Sequence, residues 1–264
     1  MSPEGVSARE QTTLSVRPKD MASKPKRRIG RLTLVAVGIL LALLIALYTV
    51  TRATEEGSLG AHAQTWLRIE KSRFTFNRVY SMSTPPFEQA PSAFLARSVE
   101  NMPPGAALDI AAGQGRNSLH LARKGWRVTV FDISENGLEV ARRNAAQSGV
   151  QLETLRRSAQ DFDFGRKRWD LVILIYAPIP FEDAGLMARI RGSVKPGGLV
   201  LVDNPVVMHG PASAVPRVPG DLKPGELPTL FPGFEILEYT EAEDTTDWFR
   251  LKMPMGRLLA RKAA

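Results

Sequence analysis

The residues best suited to bind a charged small molecule lie in a short acidic and glycine-rich segment near the middle of the chain. Asp109 comes directly before a loop in which Gly113 and Gly115 stand two residues apart. Glycine lets a backbone turn tightly and approach a ligand closely, because it carries no Cβ atom. A dinucleotide-binding fold has apolar packing where Asp109 stands, so a carboxylate at this place favours a cationic ligand. A Gly-x-Gly loop alone is shared by many nucleotide-binding proteins, so its neighbours must narrow the interpretation.

A second carboxylate, Asp132, follows Asp109 by 23 residues and ends a predicted strand. An acidic residue at the end of the second strand of such a sheet can accept both hydroxyl groups of a ribose. The sequence Lys-Pro-Gly-Gly at residues 195–198 precedes another predicted strand and is typical of a turn that leads from a helix back to the sheet. These features narrow the interpretation to a cationic ligand that carries a ribose.

The elements that would position these residues alternate between strands and helices. Apolar, β-rich runs predict strands at residues 106–110, 127–131, 151–155, 170–176, 199–203, 234–239 and 257–261. Helical patterns occupy residues 87–100, 116–124, 134–148 and 182–191. This alternation predicts an α/β fold in which helices cover both faces of a parallel sheet.

Composition limits the other classes of function. The chain has no cysteine and three histidines, so we expect no disulfide, no thiolate zinc site, no cysteine nucleophile and no metal site. The formal net charge is +8, but residues 1–31 hold eight Lys and Arg against three Asp and Glu. Because most of the excess lies in this polar tail, which we predict to be disordered, we expect no nucleic-acid partner.

An apolar run follows the basic tail. Residues 32–50 contain no charge over nineteen positions, and a helix of that length spans about 28 Å, close to the hydrocarbon thickness of a bilayer. A buried core helix and a cleaved signal peptide are the alternatives, and an uncleaved transmembrane helix fits the length best. We therefore predict a tail at 1–31, a membrane span at 32–50, a small, polar linker at 51–65 and a folded domain at 66–264.

The glycine-loop region resembles a known family. The segment of residues 103–144, which contains the string GRNSLHLARKGWRVTVFDIS, and the later string PGELPTLFPGF at residues 224–234 resemble small-molecule class I methyltransferases of the tellurite-resistance and thiopurine type. The similarity extends over about residues 66–262 and is specific to the superfamily rather than to a substrate. It implies a Rossmann-like, doubly wound, seven-stranded sheet that is mostly parallel with its last strand antiparallel. It also implies S-adenosyl-L-methionine as cofactor.

The resemblance assigns roles around the glycine loop. It implies that Asp109 lies near the methionine amino group and that Gly113 and Gly115 line the methionine and ribose. Asp132 would hold the ribose hydroxyls, with Ile133 against the adenine. The cofactor-binding residues that complete this prediction are Tyr80, Ala111, Asn117, Ala159, Gln160 and Tyr176.

These further assignments rest on particular places in the family pattern. Ala111 stands where the family usually has its first glycine, and we expect one extra methyl group to tighten the packing without abolishing the site. Ala159 and Gln160 belong to the run that contacts the adenine edge. Tyr176 would lie beside the transferred methyl group, and Tyr80 falls where an N-terminal segment closes over the cofactor.

We therefore expect a membrane-anchored methyltransferase that acts on a small-molecule acceptor. Methyl transfer depends mainly on holding donor and acceptor close and aligned, so no catalytic residue is predicted. A nicotinamide-dependent oxidoreductase on a Rossmann-like sheet is one alternative, but it requires a glycine or alanine where Ser118 stands. The other alternative is a membrane-tethered, non-catalytic binding domain.

Orientation in the membrane is open at this point. Five Lys and Arg residues between positions 24 and 31 precede the apolar run, so the positive-inside rule predicts a cytoplasmic N-terminus in a single-pass protein. The remainder of the chain would then lie across the membrane, whereas S-adenosyl-L-methionine is made in the cytoplasm. The side that the folded domain occupies is therefore not predicted.

Overall fold

A computed structural model describes residues 58–82, 86–207, 220–247 and 250–264. The segment Ala61–Ala264 forms one compact unit. The predicted tail at 1–31 and membrane span at 32–50 lie outside the described residues. Among the helices of the described part, none is long and apolar enough to cross a membrane.

The described residues contain a seven-stranded sheet with the strand order β3-β2-β1-β4-β5-β7-β6. Its strands are β1 (Ala106–Ile110), β2 (Arg127–Asp132), β3 (Glu153–Arg156), β4 (Trp169–Ile175), β5 (Val194–Pro205), β6 (Phe234–Thr245) and β7 (Lys252–Lys262). Neighbouring strands from β3 to β5 pair in parallel, and β7 is antiparallel to both β5 and β6. The predicted mostly parallel sheet with an antiparallel last strand is confirmed.

Helices cover both faces of this sheet. They are α1 (Ser58–Tyr80), α2 (Ala93–Ser98), α3 (Arg116–Arg123), α4 (Glu135–Gln147) and α5 (Ala184–Ser193). Alternate residues of one strand point to opposite faces, and β4 shows this directly. Leu171 and Ile173 pack in the core cluster that contains residues of α2, α3 and α4, whereas Val172 and Leu174 pack in the cluster that contains residues of α5.

The region before β1 differs most from its prediction. Helix α1 begins at Ser58, inside the segment 51–65 that we predicted as a linker, because small polar residues are compatible with a helix when the following turns pack on a domain. The helix predicted at 87–100 is shorter, since Pro91 precedes α2 and Ser92 caps it by accepting a hydrogen bond from the Leu95 N–H at 3.3 Å.

The strands near the end of the chain are longer than predicted. The Lys-Pro-Gly-Gly sequence at 195–198 lies inside β5 as a bulge, because Trp169 pairs with Val194 while Leu171 pairs with Leu199. Strands β6 and β7 form an extended antiparallel hairpin. Asp247, two residues after β6, contacts Tyr176 at the carboxyl end of β4 and Arg116 at the start of α3.

Candidate functional site

The carboxyl ends of β1, β2 and β4 open into a cleft, as expected for an open α/β sheet. Its empty volume is about 730 Å³, which includes space open to solvent. Seven of the predicted site residues line it, namely Tyr80, Ala111, Asp132, Ile133, Ala159, Gln160 and Tyr176. The structure thus brings together residues from α1, three strand ends and the segment after β3.

The remaining predicted residues lie behind the wall of this cleft. Asp109 is 2% exposed at the end of β1, and the Ser118 hydroxyl donates a hydrogen bond to its Oδ2 atom at 2.5 Å. Asn117 is buried and accepts a hydrogen bond from the Ser92 N–H at 2.9 Å. Gly113 and Gly115 shape the loop itself. Asn117 therefore connects α3 to the start of α2, which is a structural contact that the sequence prediction did not anticipate.

The glycine loop adopts a left-handed backbone at three alternate positions. Gly113 has φ of 55° and Gly115 has φ of 74°, values that glycine adopts without a steric penalty. Ala111 has φ of 58°. We predicted tighter packing from its methyl group, whereas the structure shows that its main consequence is conformational, because alanine is disfavoured in this region.

Asp132 fixes the loop to the end of β2. Its Oδ2 atom accepts the Gly113 N–H at 2.8 Å, and its Oδ1 atom accepts the Ser134 N–H at 2.7 Å. The side chain is 6% exposed. Burial raises the pKa of Asp132 to about 6, although the backbone N–H groups of Ser134, Gly113 and Ile133 oppose the rise.

Asp109 carries the larger shift of the two carboxyls. Burial raises the pKa of Asp109 to about 7, opposed mainly by the hydrogen bond from Ser118, and the negative charge of Asp132 raises it further. Arg116 is the cation that lowers the pKa of Asp109. Its guanidinium is already engaged, since it donates to Asp247 at 2.5 Å and to the Ala90 carbonyl at 2.6 Å. The loop therefore surrounds an excess of buried negative charge.

Tyr80 lies directly over the glycine loop. A Cβ atom added to Gly113 would come within 2.0 Å of the Tyr80 hydroxyl oxygen, and one added to Gly137 would come within 3.0 Å of the Tyr80 ring. Burial raises the pKa of the Tyr80 hydroxyl, and Asp132 raises it further. The last turn of α1 thus packs against the glycine loop.

Tyr176 stands at the end of β4 with φ of 51°, a conformation that costs a non-glycine residue about 1 kcal/mol or more. Its hydroxyl accepts the Asp247 N–H at 2.9 Å, and the Arg116 guanidinium lies 5.9 Å from the centre of its ring. Burial raises the pKa of Tyr176 above its usual range. The tip of the β6–β7 hairpin therefore holds this ring in place.

A second cleft adjoins the first across Tyr176. Its empty volume is about 910 Å³, which includes space open to solvent, and it shares Ser72, Phe76, Tyr176 and Pro178 with the first. The rest of its wall comprises Lys71, Thr75, Ala177, Asn204, Pro205, Gly220 and Asp221. Sequence reasoning missed this cleft, because its walls come from four separate parts of the chain.

The contribution of α1 to the first cleft could have been detected in part from the sequence. Ile69, Ser72, Phe76 and Tyr80 line the first cleft and recur every three or four residues, which is the spacing of one helix face. Residues 66–84 are rich in aromatic side chains, namely Trp66, Phe74, Phe76 and Tyr80, which alone indicates only a segment that packs on the domain. Within the described residues, no group of His, Cys, Asp and Glu is arranged to hold a metal ion.

Comparison with known proteins identifies the central segment. Residues 107–198 match the family model described as a methyltransferase domain. The release factor glutamine methyltransferase of Neisseria gonorrhoeae is 36% identical over 104 residues, which are 38% of this chain and 37% of that protein. The ubiquinone biosynthesis O-methyltransferase of Azorhizobium caulinodans is 30% identical over 108 residues, 40% of this chain and 43% of that protein. The chain thus aligns with about two fifths of the length of these curated relatives.

A solved structure supports the fold over a longer stretch. TehB from Haemophilus influenzae superposes with a TM-score of 0.56 at 21% identity, covering 64% of this chain and 61% of that one. At this identity the likeness shows the fold alone. Together with the family match, it confirms the predicted resemblance to class I methyltransferases.

Proposed function

Because residues 107–198 match a methyltransferase domain, we propose that this chain is a class I S-adenosyl-L-methionine-dependent methyltransferase that acts on a small molecule. The observation that carries the proposal is the pair of buried carboxylates, Asp109 and Asp132, beside the glycine loop. Burial raises the pKa of both carboxyls, so a cationic ligand that binds beside them would favour their ionised forms.

The residues present fit this cofactor. The positive φ of Gly113 and Gly115 lets the loop backbone approach a ligand. Asp132 uses one lone pair of each oxygen on backbone N–H groups, and a carboxylate has about four acceptor sites, so it can still accept two ribose hydroxyls. Ile133, Ala159 and Gln160 line the same cleft and would hold the adenine.

The bound cofactor would supply a methyl group that is already activated for transfer. The contribution of the chain is then to position the two partners and to exclude water. Tyr176 is suited to this role because it lines both clefts and is held rigidly by the Asp247 N–H. We assign no general base, because a thiol or a similar soft anion needs none, while a hydroxyl acceptor can require one.

The second cleft is the proposed place of the methyl acceptor. Phe76, Tyr176, Pro178 and Pro205 give it apolar walls, which favour an apolar, aromatic-sized acceptor. A relative named for ubiquinone biosynthesis is consistent with a phenol or quinone-like molecule. We propose this acceptor class for the present chain on the walls of the cleft.

We also propose that residues 32–50 anchor the chain in a membrane as a single span. Their nineteen uncharged residues support this, and the preceding Lys and Arg residues favour a cytoplasmic N-terminus. Fusing an enzyme active only in the cytoplasm, or one active only outside it, to Ala264 would report the side of the folded domain. Carbonate-resistant sedimentation is expected for the full chain, and release into the soluble fraction would contradict the anchor.

Isothermal titration of the full chain in mild detergent tests the activity class. We expect S-adenosyl-L-methionine to bind, Asp109→Ala to weaken binding, and NADH not to bind. Failure of the cofactor to bind the wild-type chain, or equal binding by Asp109→Ala, would contradict the proposal. Binding of NADH in its place would favour the oxidoreductase, and cofactor binding without methyl transfer to any phenol or thiol would favour a non-catalytic domain.

A further inference from the structure

Helix α1 has apolar side chains on two opposite faces, and only one of these faces packs on the domain. The inner face carries Ile69, Phe76 and Tyr80, which line the first cleft. On the outer side, Leu67 is 53% exposed and Phe74 is 71% exposed. Scattered apolar residues on a surface are ordinary, whereas a stripe of them at helical spacing indicates a partner.

The outer side chains lie along one stripe of the helix. Leu67, Lys71, Phe74 and Arg78 follow one another at intervals of four, three and four residues, which places them on one face. Trp66, at 60% exposure, and Met82, at 51%, extend the apolar surface at its two ends. We call this set the outer stripe of α1.

The charge of this surface has a single sign. The exposed ionisable residues between 64 and 82 are Arg68, Lys71 and Arg78. Glu70 is the one acidic residue in that stretch of sequence, and its carboxylate is paired with Arg73 on the helix itself. Aromatic and aliphatic side chains beside unpaired basic ones are the composition of helices that lie in the interface of an anionic bilayer.

We propose that the outer stripe of α1 rests on the surface of a membrane that contains anionic lipids. Its apolar side chains would enter the boundary between headgroups and acyl chains, while its two cations, Lys71 and Arg78, would meet lipid phosphates.

This placement has a consequence for the second cleft. Lys71 belongs to the outer stripe and also lines the second cleft. The exposed Thr75, one helical turn further along α1, lines the same cleft. The mouth of the cleft would therefore open next to the lipid surface, where an apolar acceptor is concentrated. This consequence rests on the proposed methyl transfer, whereas the docking of the stripe does not.

The absence of cysteine permits a direct test by site-specific labelling. Leu67→Cys and Phe74→Cys, made one at a time in the full chain and labelled with an environment-sensitive nitrobenzoxadiazole dye, report on the outer stripe. Glu139→Cys on the exposed side of α4 is the control. The proteins are reconstituted with vesicles of equal parts phosphatidylcholine and phosphatidylglycerol, with and without spin-labelled lipid.

The stripe positions are expected to show blue-shifted emission and about twofold quenching by spin-labelled lipid, while position 139 shows neither. Both effects should weaken in pure phosphatidylcholine and at high salt, where charges are screened within about 3 Å at 1 M. Equal, solvent-like emission at positions 67, 74 and 139 would overturn the proposal. Oxidative cross-linking of Phe74→Cys between two chains would also overturn it, by showing that a second copy covers the stripe.

A second pair of variants separates lipid contact from an effect of general hydrophobicity. With the dye at Thr75→Cys, the double change Leu67→Ser and Phe74→Ser should abolish the quenching. The matched change Ile236→Ser and Leu237→Ser removes two exposed apolar residues from β6 and should leave the quenching intact. Cofactor titration on the same proteins reports the proposed function separately, so that either proposal can fail while the other stands.

Discussion

The two clefts share one edge of the sheet and differ in how the chain builds them. The first depends on Asp109, the glycine loop and Asp132, which come from one stretch of 24 residues spanning β1, α3 and β2. The second is assembled from α1, the ends of β4 and β5, and residues 220–221. The comparison teaches that the glycine loop and the two carboxyls of the proposed cofactor site are encoded in one stretch of sequence, whereas the proposed acceptor site depends entirely on parts of the chain that only the fold brings together.

The clefts also differ in electrostatics. Two buried carboxyls, Asp109 and Asp132, lie at the first cleft, and their charge is costly without a ligand. The charged groups on the wall of the second cleft are Lys71 and Asp221, neither of which is fully buried. Charge at a functional site commonly lowers stability in exchange for binding. Changes in the first cleft should therefore alter stability and cofactor binding together, while changes in the second should alter acceptor binding alone.

The largest expected effect follows from Asp132→Asn. Because the amide cannot accept from Gly113 and Ser134 while also holding a ribose diol, we expect cofactor affinity to fall about 100-fold, the loss typical of hydrogen bonds to a charged group. Titration calorimetry measures it. Asp163→Asn, which removes the same charge from an exposed side chain, should bind as the wild type does, and a similar loss there would indicate a long-range charge effect.

The next effect follows from Gly113→Ala, which tests how closely α1 is packed on the loop. The added Cβ would meet the Tyr80 hydroxyl at a strained φ, so we expect a loss of about 2–3 kcal/mol in the free energy of unfolding. Denaturant titration checks this value. Gly149→Ala is the matched control, because Gly149 has φ of 66° with nothing near a Cβ, and it should cost only about 1 kcal/mol.

Tyr80→Ala provides the corresponding double-mutant cycle. In that background Gly113→Ala should cost no more than Gly149→Ala, since the clash has been removed. An unchanged cost would mean that Tyr80 does not close on the loop in solution.

A smaller change in cofactor affinity is expected when the pH is lowered. With the pKa of Asp109 at about 7, about nine tenths of this carboxyl is protonated at pH 6, so affinity for a cationic cofactor should fall about fivefold to tenfold between pH 7.5 and 6. The dependence should be flatter in Asp109→Asn. A wild-type affinity that stays constant over this range, or rises as pH falls, would contradict the charge-based account of the first cleft.

Asp109 and Asp132 also determine whether the ligand-free fold gains or loses stability as the pH rises. Asp109 and Asp132 have folded pKa values above the usual value of 3.8, so the folded state binds more protons than the unfolded state between about pH 4 and 7. These two groups therefore destabilise the ligand-free fold as pH rises through that window, and the loss is complete above it. Asp109→Asn should accordingly melt at a higher temperature than the wild type at pH 8.

The smallest effect concerns Ala111. Its φ of 58° suits glycine better than alanine, so replacing Ala111 with glycine would relieve backbone strain in the folded state. This gain in stability is partly offset by the greater freedom of glycine in the unfolded chain. Ala111→Gly should therefore stabilise the fold by about 0.5 kcal/mol, visible as a shift in melting temperature. A destabilised Ala111→Gly variant would show that packing of the methyl group outweighs the backbone cost.

Much of the sheet and of the first cleft could be predicted from sequence, because their signals are local. Strand β1 has the predicted bounds, and helix α4 lies within its predicted range with Ser134 as its cap. Asp132 was placed at the end of β2 because it directly follows the β-rich run at residues 127–131. Its contact with the Gly113 N–H follows from the parallel pairing of β1 with β2.

The parts that could not be predicted depend on contacts between distant segments. Nothing near Tyr176 in sequence indicates that the Asp247 N–H will hold its hydroxyl, 71 residues away. The length of α1 was missed because the apolar faces of a helix are informative only when the surface that packs against it is known. The conformation of Ala111 was missed because alanine carries no sign of a left-handed backbone.

A crystal structure of the protein with S-adenosylhomocysteine is the most direct test of the central claim. The account predicts the ribose hydroxyls on the Asp132 carboxylate, the adenine between Ile133 and the segment containing Ala159 and Gln160, and the sulfur facing Tyr176. A ligand bound elsewhere, or one whose ribose makes no contact with Asp132, would contradict it.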